Sequence, residues 1–150
     1  MKAVLQRVKQ ARVVVAGETV GEIRKGILVF LAVEKNDGEA QAEALSRKIQ
    51  QFRLFPSPEG GRMDLATSEV NGEFLVVSQF TLAANCDNGN RPSFDNAAPP
   101  AEAEQLYNFF VACLQKGPCR VATGRFRAMM DVELINDGPV TFILQGKGSF

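Results

Sequence analysis

Two short stretches of this chain, GILVFLAVE (Gly26 to Glu34) and FLVVSQFTL (Phe74 to Leu82), are apolar almost without interruption. Runs of this length, rich in β-branched and aromatic side chains, read as strands buried on both faces. Polar residues enter the second run only near its carboxyl end, at Ser78, Gln79 and Thr81. A chain with two such strands has to fold around a sheet that is covered on both sides.

The remaining segments fit around that sheet. Residues Lys2 to Ala16 alternate about Val4, Val8, Val13 and Val15. Ala16-Gly17-Glu18 makes a turn, and Thr19 to Ile23 returns as a second strand. In NDGEAQAEALSRKIQQFRLF the period changes: Ala42, Leu45, Ile49 and Phe52 share one face, and Glu43 with Arg47 forms an i,i+4 pair, which predicts an amphipathic helix. PSPEGGRMD reads as a turn-rich connection. AANCDNGNRPSFDNAA is a polar loop, too long for a plain connector. A second helix is expected from Pro99-Pro100, striped by Leu106, Phe109, Phe110 and Cys113 and stopped by Gly117-Pro118. Two closing strands are expected, Ala128 to Ile135 and Val140 to Leu144, with Met130, Val132 and Leu134 facing one way and Asp131 and Glu133 the other.

The order strands, helix, strand, helix, strands predicts one α+β domain over residues 1–150. Two helices leave much of an apolar sheet without cover, and a second copy of the chain is the simplest partner. The sequence holds 17 Lys+Arg against 17 Asp+Glu, so total charge points to neither nucleic acid nor a membrane surface, although a local basic patch would suffice for RNA. Lys2, Arg7, Lys9 and Arg12 break up the start of the chain, which excludes a signal peptide or a membrane span there and makes the cytoplasm the expected location. The cysteines, Cys86, Cys113 and Cys119, form no C-x-x-C pair and argue against a disulfide framework or a thiolate zinc site.

The most restrictive absence is chemical: there is no histidine. Ser-His-Asp and Cys-His catalysis, H-E-x-x-H metal sites and any imidazole acid or base are therefore excluded. Three places remain where chemistry could gather. Ser78, Gln79 and Thr81 are either the surfacing end of a strand or the lining of a cleft beside the long loop. Arg91, stiffened by Pro92, is either an anion holder or a surface arginine. In NDGPVT, Asp137-Gly138 reads as a tight hairpin turn, but Pro139 then opens a strand where it removes a ladder donor. A cis Gly138-Pro139 bond would instead aim neighbouring carbonyl oxygens the same way and make a rigid acceptor pair.

Together, QRV at Gln6 to Val8, KGILV, VVSQFTL, RPSF, EAEQLY, TGRF and NDGPVT resemble the D-aminoacyl-tRNA deacylase family over nearly the whole chain. The resemblance implies a homodimer of compact α+β subunits with a mixed or antiparallel, barrel-like sheet and two main helices. It implies that Ser78, Gln79, Phe80 and Thr81 line a pocket for the 3′-terminal aminoacyl-adenosine of tRNA, with Thr81 as the catalytic candidate. Gly138 and Pro139, in cis, would enter the partner subunit's pocket as a chiral filter propped by Arg7, and Ala103 and Met130 would form pocket walls. No cofactor or metal is implied, the partner is tRNA, and neither DNA nor a membrane is expected.

Such an enzyme would accept many D side chains and refuse every L one, so it would read the substituents on Cα and work by exclusion. Glycine has nothing to exclude, which implies cleavage of glycyl-tRNA as well. Thr81 has no evident base, which favours positioning over nucleophilic attack, with the substrate's ribose 2′-hydroxyl helping to activate water. The competing class is a non-catalytic RNA- or nucleotide-binding dimer. A serine esterase is disfavoured by the missing histidine and the missing G-x-S-x-G.

Overall fold

The computed structural model describes residues 1–146. Strand β1 (Lys2–Val15) turns at Ala16 and Gly17, both at positive φ, into β2 (Glu18–Ile23), and β3 (Gly26–Ala32) continues nearly in line with β2. This alignment shows in the pairing. The first half of β1 is antiparallel to β3 (Ala3↔Leu31, Arg7↔Ile27), and its second half is antiparallel to β2 (Ala11↔Ile23). Helix α1 (Glu39–Gln51) follows, then a small hairpin of β4 (Arg53–Pro56) and β5 (Met63–Ala66). Next come β6 (Glu73–Ser78), helix α2 (Pro100–Gln115), β7 (Val121–Thr123) and β8 (Asp131–Gln145).

The main sheet runs β2-β1-β3-β6-β7, with β8 on the other edge of β1. Strands β3, β6 and β7 are parallel neighbours and the rest are antiparallel, so the sheet is mixed. It curls until β2 meets β7. The Cβ that Gly21 lacks would overlap the Thr123 carbonyl, so glycine is what permits the approach.

This curl explains the two apolar runs. Ile27, Val29 and Leu31 of β3, with Phe74 and Val76 of β6, join the core under α1 and α2, where Ala42, Leu45, Ile49, Phe110 and Leu114 meet them. The intervening Leu28, Leu75 and Val77 point the other way and pack with Val8, Ala11, Val13 and Ile23 inside the curl. Both faces of β3 and β6 are thus filled, and the expected single α+β domain with a barrel-like mixed sheet and two helices is what forms.

Four local expectations need correction. The turn-rich PSPEGGRMD segment forms part of the β4–β5 hairpin, paired Phe55↔Leu65 and Pro56↔Met63. The strand expected to run through Leu82 ends at Ser78, because Gln79 (φ −143°, ψ 77°) leaves the extended region and Phe80–Ala83 coil into one turn of 3-10 helix. Val121–Thr123 adds a short strand. Most consequential, the two closing strands are one: Asp131 to Gln145 runs the length of β1, from Val14↔Asp131 to Lys2↔Gln145, so NDG is not a hairpin turn.

Candidate functional site

Inside β8 the ladder breaks where the awkward proline sits. Gln6 pairs with Thr141 and Val8 with Asn136, so a single β1 residue, Arg7, faces four on β8, Asp137 to Val140. The surplus backbone bulges out, with Gly138 and Pro139 exposed at its tip. The Gly138–Pro139 bond is cis, and Gly138 has φ +144°, a value that L side chains rarely adopt.

Arg7 underlies this projection. Its side chain is only 11% exposed. Arg7 Nε donates to the Asp137 carbonyl oxygen at 3.0 Å, and Nη1 donates to the Leu54 carbonyl oxygen of β4 at 2.7 Å. The Asp137 carboxylate lies 3.5 Å from the same Nε. One planar guanidinium therefore ties the base of the projection to the hairpin that the sequence had not revealed. On the far side, Asn136 accepts the Val140 N–H at 2.7 Å through Oδ1. Sequence reasoning gave Asn136 no role, although a short amide just before Gly-Pro is the kind of side chain that bonds to nearby backbone.

The second constellation follows β6. Gln79 N–H still bonds to the Leu31 carbonyl at 2.8 Å, as the last rung toward β3. The chain then turns, and Leu82 N–H and Ala84 N–H bond back to the Gln79 and Thr81 carbonyls. The Gln79 side chain donates from Nε2 to Thr81 Oγ1 at 2.6 Å. Phe80 is 58% exposed, and its ring lies 5.1 Å from that of Phe94. Phe94 comes from the long loop, drawn in by the Asn85↔Ser93 bridge, so RPSF and SQFT meet at this aromatic pair. Arg91, at the loop's exposed tip, has no hydrogen-bond or ion-pair partner among the described residues.

The two pocket-wall candidates come from elements that reach the end of β6: Tyr107, one turn after Ala103, donates its hydroxyl to the Val76 carbonyl, and Gly124 N–H, beside Met130, bonds to the same oxygen. Ala103 lies in the first turn of α2, its N–H bonded to the Pro99 carbonyl, and packs on the helix-side core. Met130 precedes β8 and packs on the interior of the curl, where a Cβ at Gly124 would come within 2.9 Å of its Sδ.

Within one chain the projection and the Ser78–Thr81 turn do not meet. Gly138–Pro139 sits level with Arg7, hence with Ile27 and Phe74, whereas Ser78 is level with Leu31 and Ala3. Four residues of strand separate those levels, about 13 Å along the strand direction, and three strand spacings add about 14 Å across the sheet. Among the described residues β8 pairs only with β1, and its outward face carries bare apolar side chains, Ile135 and Ile143, the latter 71% exposed.

Other features offer little chemistry. A cleft of about 840 Å³ is bounded by Arg12, Arg24 and Arg120 and by Glu22, Glu73 and Glu133, but its charges offset one another through the Arg12–Glu133 and Arg120–Glu73 pairs. Burial pushes the Cys113 and Cys119 thiols above their ordinary range, which disfavours the reactive thiolate. No cluster of potential metal ligands occurs among the described residues. No helix there is long and apolar enough to cross a membrane.

The family described as D-Tyr-tRNA(Tyr) deacylase matches residues 4–145. A D-aminoacyl-tRNA deacylase from Geobacter metallireducens is 56% identical over 97% of this chain and 95% of its own. A solved structure described as c-Myc DNA Unwinding Element Binding Protein is 39% identical, with a TM-score of 0.93 over 99% of this chain and 100% of its own. Another, of a probable eukaryotic D-amino acid tRNA deacylase, shares the fold at 16% identity, with a TM-score of 0.82 over 95% of this chain and 97% of its own. Matched from residue 4 to residue 145, through both constellations, the chain belongs to the D-aminoacyl-tRNA deacylase family.

Proposed function

We propose that this chain is a homodimeric, cytoplasmic hydrolase that removes D-amino acids, and glycine, from the 3′ end of tRNA. Water attacks the aminoacyl carbonyl carbon, the bond to the ribose oxygen breaks, and that oxygen leaves with a proton as the tRNA hydroxyl. Ser78, Gln79, Phe80 and Thr81 bind the aminoacyl-adenosine, with Ala103 and Met130 as walls. Gly138 and Pro139 of the partner subunit exclude L side chains. The observation that carries this reading is the placement of an exposed Gly-cis-Pro tip beyond reach of its own Ser78–Thr81 turn, beside the bare apolar face of β8. A second copy, packed along that face, supplies to each turn the tip it lacks.

Gln79 bears on the role of Thr81. Because Nε2 donates to Thr81 Oγ1, it occupies an oxygen lone pair and leaves the hydroxyl proton free to donate outward. An oxygen so engaged, with no histidine in the chain, is a poor nucleophile and a good positioning group. The 3-10 turn closes at Leu82 N–H, which leaves the Phe80 and Thr81 N–H groups at its open end for a developing oxyanion. Proton transfer then falls to water and the substrate's ribose 2′-hydroxyl. A terminal 2′-deoxyadenosine substrate is expected to react much more slowly.

Deacylation of D-tyrosyl-, L-tyrosyl- and glycyl-tRNA by the full chain tests the reading. Cleavage of the first and third with the second spared is expected, and complete resistance of glycyl-tRNA would sink the exclusion mechanism. The name of the 39%-identical solved protein gives a second reading, binding to a DNA unwinding element. Tight binding of DNA carrying such an element, without any deacylation, would favour it.

A further inference from the structure

A ladder interrupted by a projection leaves backbone groups without their usual partners. Val140 is among the buried residues, yet the β1 residue opposite the bulge, Arg7, spends its side chain on Asp137 and Leu54. Asn136 fills the gap. Val140 N–H donates to its Oδ1 at 2.7 Å, while Nδ2 donates to Thr141 Oγ1 at 3.2 Å and, more loosely, to the Val140 carbonyl at 3.4 Å. From β1, Gln6 Nε2 donates to the same Thr141 hydroxyl at 3.3 Å.

One carboxamide therefore spans the whole projecting segment, from the residue at its start to the residues at its end. Arg7 fixes the carbonyl just before Gly138, and Asn136 fixes the N–H just after Pro139. With only the first tie, the segment would be held at its base and free to rotate about it. With both, the height and direction of the tip are set. We propose that Asn136 is a positioning residue that sets how far Gly138–Pro139 projects, and thereby how sharply D substrates are separated from L ones. The inference rests on the reading of Gly138–Pro139 as the chiral filter.

Three substitutions separate the parts of the carboxamide. Asn136→Ala removes donor and acceptor together. Asn136→Asp keeps an acceptor for Val140 N–H and removes the donors. Asn136→Ser leaves a side chain too short to reach Val140 and serves if the alanine variant does not fold.

The first readout is amide hydrogen exchange at Val140, followed by NMR in the full chain. Loss of one hydrogen bond of ordinary net strength should speed exchange by about 5- to 10-fold in the alanine variant, with the aspartate variant close to wild type. The second is the ratio of kcat/KM for D-tyrosyl-tRNA to that for L-tyrosyl-tRNA. A tip misplaced by a fraction of an ångström is expected to lower that ratio about 10-fold in the alanine variant, with the aspartate variant recovering most of it. Unchanged Val140 exchange in the alanine or serine variant overturns the proposal, and so does faster exchange with an unchanged D-to-L ratio. If the wild-type chain cleaves no D-aminoacyl-tRNA, the proposed function falls, and the exchange comparison alone decides whether Asn136 holds the projection.

Discussion

The turn after β6 and the bulge in β8 are opposite solutions to presenting polar groups from a sheet. At Ser78–Thr81 the strand simply stops. Gln79 keeps one rung to Leu31, and the chain coils into a 3-10 turn whose own backbone bonds hold it. At Asp137–Val140 the strand continues, and the four residues facing Arg7 are expelled from the ladder. Backbone bonds cannot hold them there, so side chains do: Arg7 from β1, and Asn136 from β8 itself. The first region is rigid by local hydrogen bonding and can tolerate side-chain changes. The second depends on particular side chains, and its tip should be the more fragile of the two.

That contrast ranks the expected effects, and Gly138 comes first. A Cβ there would lie 2.6 Å from Val140 Cγ2, 3.0 Å from Val140 N and 3.2 Å from Arg7 Nη2, at a φ of +144°. Backbone and both ties would have to shift together. A displacement of that size at a reacting geometry costs about 10²-fold, so Gly138→Ala should lose that much kcat/KM on D-tyrosyl-tRNA while its unfolding temperature falls only modestly. Full activity with full discrimination in this variant would mean that the tip reads nothing.

Arg7 comes next. Its removal orphans the Leu54 carbonyl, whose residue is fully buried, at a cost of about 1–3 kcal/mol in urea unfolding. Arg7→Lys offers a single point donor in place of a fork spanning two carbonyls, so it should recover part of the stability and little of the D-to-L discrimination. Recovery of both by lysine would show that charge, rather than the two-carbonyl geometry, is what matters.

These two regions also differ in how far the sequence disclosed them. The unbroken apolarity of Ile27–Leu31 and Phe74–Val77 announced strands buried on both faces, because each face meets a separate core. The stripe of Ala42, Leu45 and Ile49 announced α1 for a similar reason: all three are fully buried. Local periodicity could not show that Asp131–Ile135 and Val140–Leu144 are one strand. A Gly-Pro pair looks like an end, and what carries the strand past it is the pairing to β1, at the other end of the chain. The β4–β5 hairpin was hidden by Pro56, Pro58, Gly60 and Gly61, which mark its turn but mask its short strands. Ser78 does end a strand, but Gln79 to Thr81 lie beyond it in the 3-10 turn, and neither the change of backbone at Gln79 nor the Gln79–Thr81 bond had a signal in residue type. Asn136 was legible only as an amide of no stated use.

Thr81 tests the sturdier region. If its hydroxyl positions substrate, Thr81→Ala removes about one hydrogen bond, and kcat/KM should fall by less than about 10-fold. A nucleophile removed from a covalent mechanism costs on the order of 10⁴–10⁶ in kcat. The gap between those figures is wide enough for a single-turnover assay to decide, and Gln79→Ala, which frees the Thr81 oxygen, should not raise the rate.

The smallest effect belongs to Phe94. Its ring tilts against Phe80 at 5.1 Å, but both rings remain substantially exposed, so only part of the about 0.5–1.5 kcal/mol typical of an aromatic pair applies. The Phe80 backbone stays fixed by the turn whether or not Phe94 is present, since Leu82 and Ala84 bond back without it. What Phe94 adds is the orientation of the Phe80 ring and the closeness of the long loop. Phe94→Ala should therefore raise KM by about 2- to 5-fold and leave both kcat and the D-to-L ratio unchanged, because neither tie of the β8 projection involves it. A fall in the ratio would show that the loop and the projection act on the substrate as one unit, and the separation drawn between the two regions would then have to be given up.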